Sequence, residues 1–344
     1  MSIIDSDSVL ILGAGVSQPF GLSLGGDLVT QIAAQLKVEL SADAQYQIEA
    51  YADQHPREAF RAAPIHTACF LDSECETNFK NDAQELVQLL STSTHDTIDD
   101  FIADNPSIAS LVKTGIAATL FNQMYLPSEP TGHGFRFRGG PEIRNFDYYN
   151  LRMFSARHIG SDRVSQGSSK PIRNWLHHFI NIVRFSVRNG TLKSKLKLVT
   201  FNYDTLLEHV LSELFQKTEY EYEGFKEYVD IAHMHGSFGQ VTSRIENPTE
   251  VVSSWAKEIC VVGETDVPPL IKKDRNKARR WISRASKVYA VGFAFSGANC
   301  RLIDLDSGLG FGKELYYCNY NGNMGITQSV KRMFGPTKSG GDTI

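Results

Sequence analysis

The sequence lacks Cys-x-x-Cys pairs, long apolar runs and any excess of positive charge. Its cysteines are scattered, at Cys69, Cys75, Cys260, Cys300 and Cys318. The usual zinc ribbon needs two such pairs, so it is excluded; a disulfide framework is disfavoured, and we expect no bound metal. No run approaches the ~20 apolar residues that span a bilayer, and residues 1–7 carry acids where a signal peptide carries bases. These absences predict a cytoplasmic protein.

The charge balance also limits the range of partners. Lys and Arg number 35 against 39 Asp and Glu, which gives a formal net charge of −4. Without a global positive field, direct binding of nucleic acid is not expected. Apolar residues make up 42% of the chain and charged residues 22%, values typical of a folded protein rather than a disordered one. The length of 344 residues fits one elaborated α/β domain, or a core with a smaller helical domain.

The first predicted element is a buried strand followed by a glycine turn and a helix. Val9–Leu12 is a continuous apolar run, Gly13–Ser17 reads Gly-Ala-Gly-Val-Ser, and Leu28, Ile32 and Leu36 then share one helical stripe. This order is typical of the opening of a nucleotide-binding βαβ unit.

The same alternation returns in the second half of the chain. Helical patterns occupy Thr205–Leu214 and about Lys277–Ser286. Further strands are predicted at Lys197–Phe201, Ile231–Met234, Ile259–Val262, Val288–Val291 and Leu315–Cys318. With the first strand these make about six, which predicts an α/β fold with a Rossmann-like, doubly wound parallel sheet.

A large helical insertion separates the first strand from the others. Residues 1–38 and 191–330 are predicted to form the core, residues 39–190 the insertion, and residues 331–344 a flexible tail. Within the insertion, helices are predicted around Ala42–Ala63, Asp82–Leu90 and a stripe from Leu176 to Val187. The stretch Leu126–Ser169 has no sustained period and is predicted to be a long loop.

Polar residues and glycines follow several of the predicted strands. In an open α/β sheet, residues just beyond the carboxyl ends of the strands line the ligand crevice. The turn Gly13–Ser17 lacks the full GxGxxG spacing, so it could hold a phosphate or be a plain tight turn. Asn202 and Asp204 follow the second strand, and Asp204 could simply cap the next helix.

His235 and Gly236 end the third strand. An imidazole there suits general base work, whereas His233 is expected to be structural, and a metal pair is a minor alternative. Gly292 and Phe293 follow the fifth strand and Asn319 follows the sixth.

Two charged segments have competing interpretations. Asp99 lies in the acidic stretch His95–Phe101, which is typical of a solvated helix start. The basic run Lys272–Arg280 is typical of a solvated helix face, with nucleic acid or an acidic partner as the alternative.

Read in order, Gly13-Ala-Gly-Val-Ser17, Thr200-Phe-Asn-Tyr-Asp204 and Met234-His-Gly236 resemble the sirtuin superfamily. The motif TFNYD at Thr200–Asp204, with LLEH at residues 206–209, resembles the bacterial sirtuin-like NADases of anti-phage defence. The resemblance covers residues 8–30 and about 195–322. It implies that Asn202 positions the nicotinamide ribose or the attacking water, and that His235 is the catalytic base.

The resemblance also implies how NAD would be bound. The phosphates and nearby ribose would lie against Gly13, Ala14, Gly15 and Ser17, and Asp204 would fix the loop or contact the ribose. The adenosine half would lie against Gly292, Phe293 and Asn319. Asp99 matches an acidic position that recurs in the helical region of such proteins. Gly297 stands where the family usually has an acidic residue, a departure on the adenine side.

The missing cysteine pairs distinguish between branches of this family. Deacetylase sirtuins carry a Cys₄ zinc site, which this sequence cannot build. Without an acyl-lysine, water would capture the ribosyl oxocarbenium, so we expect hydrolysis of NAD to nicotinamide and ADP-ribose. The alternatives are a non-catalytic NAD or ADP-ribose sensor, or a protein deacylase or ADP-ribosyltransferase.

An unrestrained NADase would drain its own cell, so the resemblance also implies gating. Fused defence NADases carry a large sensing domain, whereas few residues follow Cys318 here. We therefore expect gating in trans, through a homo-oligomer or a separately encoded partner such as a HerA-like ring ATPase. The loop Leu126–Ser169 and the run Lys272–Arg280 are the candidate contact surfaces.

Overall fold

The computed structural model describes most of the chain outside residues 138–178. The described residues are 7–18, 21–51, 55–69, 78–93, 95, 98–127, 134–137, 179, 182–183, 185–187, 189–192, 194–215, 224–242, 244–306, 309, 313–318 and 324–334. Asn319 and nearly all of the predicted loop Leu126–Ser169 lie outside them, as do residues 335–344.

The fold is mixed α/β and is built on a five-stranded, all-parallel sheet. Its strands are β1 (Ser8–Leu12), β4 (Leu196–Thr200), β5 (Val229–His233), β7 (Lys287–Val291) and β8 (Glu314–Tyr317), in the order β5-β4-β1-β7-β8. The central strand β1 is buried along its whole length, as its uninterrupted apolar sequence predicts.

Alternate side chains of β1 enter two separate cores, one on each face of the sheet. Leu10 and Leu12 point into the larger core, and Val9 and Ile11 point into the smaller one. The helices beside the larger core include α1 (Gly25–Glu39), α4 (Pro64–Cys69), α5 (Phe79–Thr92), α6 (Ile98–Asp104), α7 (Ala109–Met124), α8 (Leu206–Phe215) and α9 (Pro248–Glu258). The smaller core is covered by α10 (Pro269–Arg284), α11 (Gly297–Leu302) and α12 (Met324–Phe334).

The insertion is helical where the structure describes it. Helices α2 (Ala42–Tyr51) and α3 (Pro56–Ala62) occupy the predicted Ala42–Ala63 stretch, α5 contains the predicted Asp82–Leu90 helix, and Phe179 and Val183 are buried helical residues. Helix α7 is largely apolar, and ten of its sixteen residues are buried among its neighbours. A small antiparallel sheet joins β2 (Tyr125–Pro127), β3 (Phe135–Phe137) and β6 (Arg244–Ile245).

The predicted strand Ile259–Val262 is wrong, so the parallel sheet has five strands among the described residues rather than six. Ile259, Cys260 and Val261 are buried, but they form no strand with the described residues; the Cys260 N–H donates to the His235 carbonyl (2.9 Å) just beyond the end of β5. The apolar run indicates that this segment is buried against the core, but burial alone does not distinguish a strand from a packed loop.

Three smaller features differ from the sequence-based expectations. Helix α10 begins at Pro269 rather than near Lys277, and α12 extends to Phe334, beyond the start of the predicted tail. Cys69 is disulfide-bonded, which the scattered cysteine spacing did not indicate. In the part of the chain that the structure describes, no helix is long and apolar enough to cross a membrane.

Candidate functional site

The turns after β1 and β7 are interlocked at the carboxyl edge of the sheet. The Gly13 N–H donates to the Val291 carbonyl and the Gly15 N–H to the Gly292 carbonyl, both at 3.1 Å. A Cβ on Gly13 would lie 2.4 Å from the Gly292 oxygen, and one on Gly292, whose φ is +61°, would lie 2.5 Å from the Val16 nitrogen. Close approach of two backbones therefore requires these glycines.

This interlock limits what the glycine turn can offer a phosphate. The amide protons of Gly13 and Gly15 are committed to β7, which matches the plain-turn interpretation of those two residues. Ala14 is the exposed residue of the turn and begins the short 3₁₀ helix Ala14–Val16, where a first-turn N–H has no partner within the helix. Contact with a ligand is therefore most direct at Ala14.

The last residue of the turn, Ser17, joins β1 to the end of β4 through a buried chain of hydrogen bonds. The Ser17 hydroxyl donates to Asp204 Oδ2 (2.9 Å) and accepts from Asn202 Nδ2 (2.8 Å). All three side chains are at least nine-tenths buried. The structure thus brings together three residues that sequence patterns placed at two separate strand ends.

Asp204 also anchors helix α8, as the capping interpretation predicts. Its Oδ1 accepts from the Leu206 N–H (3.2 Å) at the first turn of the helix. Burial raises the pKa of this carboxyl to about 6, against hydrogen bonds from Ser17 and Leu206 that lower the pKa. Capping and membership of the buried chain are compatible roles.

Asn202 presents an unused acceptor. Its carboxamide oxygen Oδ1 is buried and has no hydrogen-bond partner among the described residues, while the side chain as a whole is 8% exposed. Buried polar atoms are nearly always paired, so an unpaired one at the carboxyl edge of the sheet is a candidate position for a donor from water or a ligand.

His235 lies beside Asn202 at the end of the neighbouring strand. Thr200 pairs with His233 in the β4–β5 ladder, and Asn202 and His235 each lie two residues further on. The His235 ring contacts the rings of Phe201 and Tyr203, with centroids 5.5 and 5.8 Å away. The two residues expected to act on NAD are therefore held on adjacent strand ends.

Both ring nitrogens of His235 face oxygen atoms. Nδ1 lies 3.1 Å from the Cys260 carbonyl and 3.9 Å from Asp99 Oδ1, and Nε2 lies 3.1 Å from Asn299 Oδ1. An imidazolium can donate an N–H to both the Cys260 carbonyl and Asn299 Oδ1. In a neutral ring Nδ1–H donates to the Cys260 carbonyl and Nε2 is an acceptor, so the Asn299 amide must turn and present its NH₂ group. The surroundings can thus hold the ring before and after it accepts a proton.

Asp99 reaches this site from α6, within the helical insertion. Its Oδ1 accepts from the Tyr203 hydroxyl (2.8 Å), and the carboxylate is buried. Burial, followed by the charge of Asp99 and its hydrogen bond, raises the pKa of Tyr203 well above its usual value. The solvated-helix interpretation of this acidic stretch is therefore wrong for Asp99.

His233 is paired with the two flanking helices, in agreement with its expected structural role. Its Nε2 contacts the Glu208 carboxylate on α8, and its backbone N–H donates to Asp274 on α10 (3.1 Å). Burial alone would lower the pKa of His233, but Glu208 and Asp274 reverse that effect and raise it. The pair with Glu208 ties β5 to α8, and the backbone hydrogen bond to Asp274 ties it to α10.

The remaining predicted contacts are aromatic or lie outside the described residues. Phe293 is buried and packs against Phe201, with ring centroids 4.8 Å apart, and Phe201 in turn contacts the His235 ring. Phe295, in the same turn, has a φ of +55°, a strained conformation for a non-glycine residue. Asn319 is outside the described residues.

Two contributors were not found from the sequence. Asn299 follows Ser296, which caps α11, and nothing in that spacing points to His235. Arg275 stands within the basic run but is buried; its Nε donates to the Met234 carbonyl (2.9 Å) and its Nη2 to that of Cys260 (3.4 Å). The run Lys272–Arg280 is thus only partly a solvated face, because one of its cations anchors the strand end that carries His235.

Among the described residues, no group of three or more His, Cys, Asp or Glu side chains is arranged to hold a metal ion. No known family model matches this chain, and no curated protein matches it significantly.

Proposed function

We propose that this protein hydrolyses NAD⁺ to nicotinamide and ADP-ribose. The observation that carries the proposal is the unpaired, buried carboxamide oxygen of Asn202 beside His235, at adjacent strand ends and next to the glycine turn. The resemblance of the three motifs to sirtuin-like NADases supports the same assignment, with NAD⁺ as substrate and no metal.

The strand order supports a Rossmann-like, doubly wound interpretation of the fold. Numbered along the chain, the five parallel strands lie in the order 3-2-1-4-5, and helices cover both faces. The order reverses at β1, and ligands of such sheets bind at the carboxyl edge where it does so. The turn Gly13–Ser17 occupies that position.

The proposed reaction needs one positioned water and one base. The bond between the ribose C1′ and the nicotinamide nitrogen breaks, and its electron pair neutralises the pyridinium ring. The oxygen of water bonds to C1′ and its proton passes to the His235 imidazole, so the products are nicotinamide, ADP-ribose and a proton. Asn202 Oδ1 accepts a hydrogen bond from the other O–H of the water, which directs a lone pair towards C1′, and that hydrogen stays on the new hydroxyl of ADP-ribose.

The test is nicotinamide release from NAD⁺ by the purified chain and two variants. Asn202→Ala and His235→Ala should each lower the rate by ~10²–10⁴-fold, since each removes a positioned catalytic group. Matched controls are Asn247→Ala, which removes only the exposed cap of α9, and His55→Ala, at an exposed position before α3. Controls and site variants with equal rates, or NAD⁺ binding without nicotinamide release, would contradict the proposal; the second outcome is the one expected of a sensor.

We further propose that the activity serves anti-phage defence and is gated in trans, by self-assembly or by a HerA-like ring ATPase. The exposed cations Lys272, Lys273 and Arg280 on α10 belong to this candidate contact surface. Light scattering should show an oligomer, and the basal NAD⁺ turnover should change when the partner is added. A monomer with constant turnover in both conditions would contradict this gating.

A further inference from the structure

The chain of hydrogen bonds from Asp204 through Ser17 to Asn202 has a fixed direction. A serine hydroxyl has a single proton, and Ser17 points it at Asp204 Oδ2 (2.9 Å). Towards Asn202 the hydroxyl can then only accept. The group of Asn202 that faces Ser17 must therefore be its NH₂, at 2.8 Å, and its carbonyl oxygen must face the other way.

The direction of this chain originates at Asp204. An ionised carboxylate has only acceptor atoms, and Oδ1 is already held by the Leu206 N–H at the start of α8 (3.2 Å). Oδ2 can therefore interact with Ser17 only by accepting the hydroxyl proton. Because all three side chains are buried, little water can reach them and offer alternative hydrogen bonds that would change this direction.

We propose that Ser17 and Asp204 are positioning residues that hold the carboxamide of Asn202 with its oxygen towards the attacking water. This inference rests on the proposed hydrolysis. A water that donates to Oδ1 keeps both lone pairs free for C1′ and gains electron density on its oxygen. An amide NH₂ in the same place would occupy one lone pair and withdraw electron density, which makes the water a poorer nucleophile. Ser17 would then act through Asn202 rather than as the phosphate or ribose contact expected from the sequence.

The chain can be reversed by changing one atom. In Asp204→Asn, Oδ1 can still accept from Leu206, but the new NH₂ donates to Ser17. Ser17 then turns its proton to Asn202, and the Asn202 carboxamide rotates by about half a turn to accept it. The fold and the α8 cap are kept while the polarity at the site is inverted.

Protonation of Asp204 should act in the same direction. The groups that face it are Ser17 from the β1 turn, the Leu206 N–H and Glu208 from α8, and His233 from β5; the charge of Glu208 raises the pKa of Asp204 and that of His233 lowers it. Below a pH of about 6 the neutral carboxyl can donate to Ser17, which releases the amide.

The direct test is nuclear magnetic resonance of the full chain labelled with ¹⁵N-asparagine. The side-chain NH₂ pair of Asn202 is assigned by its loss in Asn202→Asp. Its shifts should move with a midpoint near pH 6 in the wild type and not titrate in Ser17→Ala or Asp204→Asn. Asp230→Asn, at the opposite end of β5, is the matched control and should titrate as the wild type does. An Asn202 pair unaffected by the Ser17 and Asp204 substitutions would overturn the inference.

Kinetics provide the second readout. Asp204→Asn and Ser17→Ala should lower kcat by about 100-fold with little change in KM, and Ser17→Thr, which keeps the hydroxyl, should recover most of the rate. A raised KM with unchanged kcat would instead assign these residues to substrate binding and contradict the positioning role. If the shifts titrate as expected and no nicotinamide is released, the chain of hydrogen bonds stands and the proposed function fails.

Discussion

A single methyl group tests the interlock of the two glycine turns. Gly13→Ala would place a Cβ 2.4 Å from the Gly292 oxygen, so we expect the free energy of unfolding in urea to fall by more than about 2 kcal/mol. Gly26→Ala, in α1, is the control: its Cβ would have nothing within 4 Å, and alanine favours a helix by ~0.5–1 kcal/mol. Equal stability of the two variants would contradict the interlock.

Glu39 should make stability depend on pH. It is fully buried at the end of α1, where burial raises its pKa to about 7 against hydrogen bonds from the His66 and Ile65 amides and from Gln35. Because the folded pKa lies above the unfolded value of 4.5, the native state binds the proton more tightly. Its contribution, on the order of 3 kcal/mol, is therefore complete below about pH 4.5 and lost as pH rises through 7.

Urea unfolding of the wild type and Glu39→Gln across this pH range measures that contribution. The difference in unfolding free energy between them should change steadily from about pH 4.5 to 7, whereas Glu85→Gln, at an exposed position on α5, should follow the wild type. A constant difference between the wild type and Glu39→Gln would show that Glu39 does not titrate there.

Residue types at strand ends were predictable, whereas their mutual orientation was not. Asn202, Asp204 and His235 could be placed at one edge because parallel strands end together. The links from Ser17 to Asp204 and from Asp99 to Tyr203 span 187 and 104 residues and depend on side-chain rotamers that no local pattern encodes.

At the scale of elements, helix α10 holds the end of β5 through one buried cation. Arg275 donates to the carbonyls of Met234 and Cys260, and the Cys260 carbonyl also lies within hydrogen-bond distance of His235 Nδ1. Arg275→Met would leave the two buried carbonyls without that donor, so the free energy of unfolding should fall by about 2–4 kcal/mol and NAD⁺ turnover should fall with it. Arg280→Met, at an exposed position on the same helix, should change neither. Matching melting temperatures and rates for the two variants would contradict the anchoring role.

The prediction of strands succeeded where an apolar run in the sequence also pairs with a neighbouring strand. Five predicted strands coincide with strands of the sheet to within two residues at either end, because continuous apolar runs between turn residues occur there. Ile259–Val262 has the same apolar pattern, but it packs beside the residues that follow β5 without forming a strand. No local signal in the sequence distinguishes this segment from the five strands. The start of α10 at Pro269 was missed because the charged stretch Lys272–Arg275 interrupts its apolar pattern, although proline at a helix start is a recognised signal.

At the scale of the whole molecule, the five-stranded sheet lies between two cores. The larger core includes residues of the helical insertion, and α6 from that insertion carries Asp99 to within 3.9 Å of His235. The insertion is thus part of the site as well as of the core. This contact could not be predicted, since the sequence places Asp99 and His235 in segments that were expected to form different domains.

The most direct test of the central claim is the product balance when the full chain is incubated with NAD⁺ alone. Chromatography over time should show nicotinamide and ADP-ribose appearing in equal amounts as NAD⁺ disappears, with Asn202→Ala folded but inactive. NAD⁺ that remains intact in the presence of folded wild-type protein, or equal product formation by the wild type and Asn202→Ala, would contradict the account.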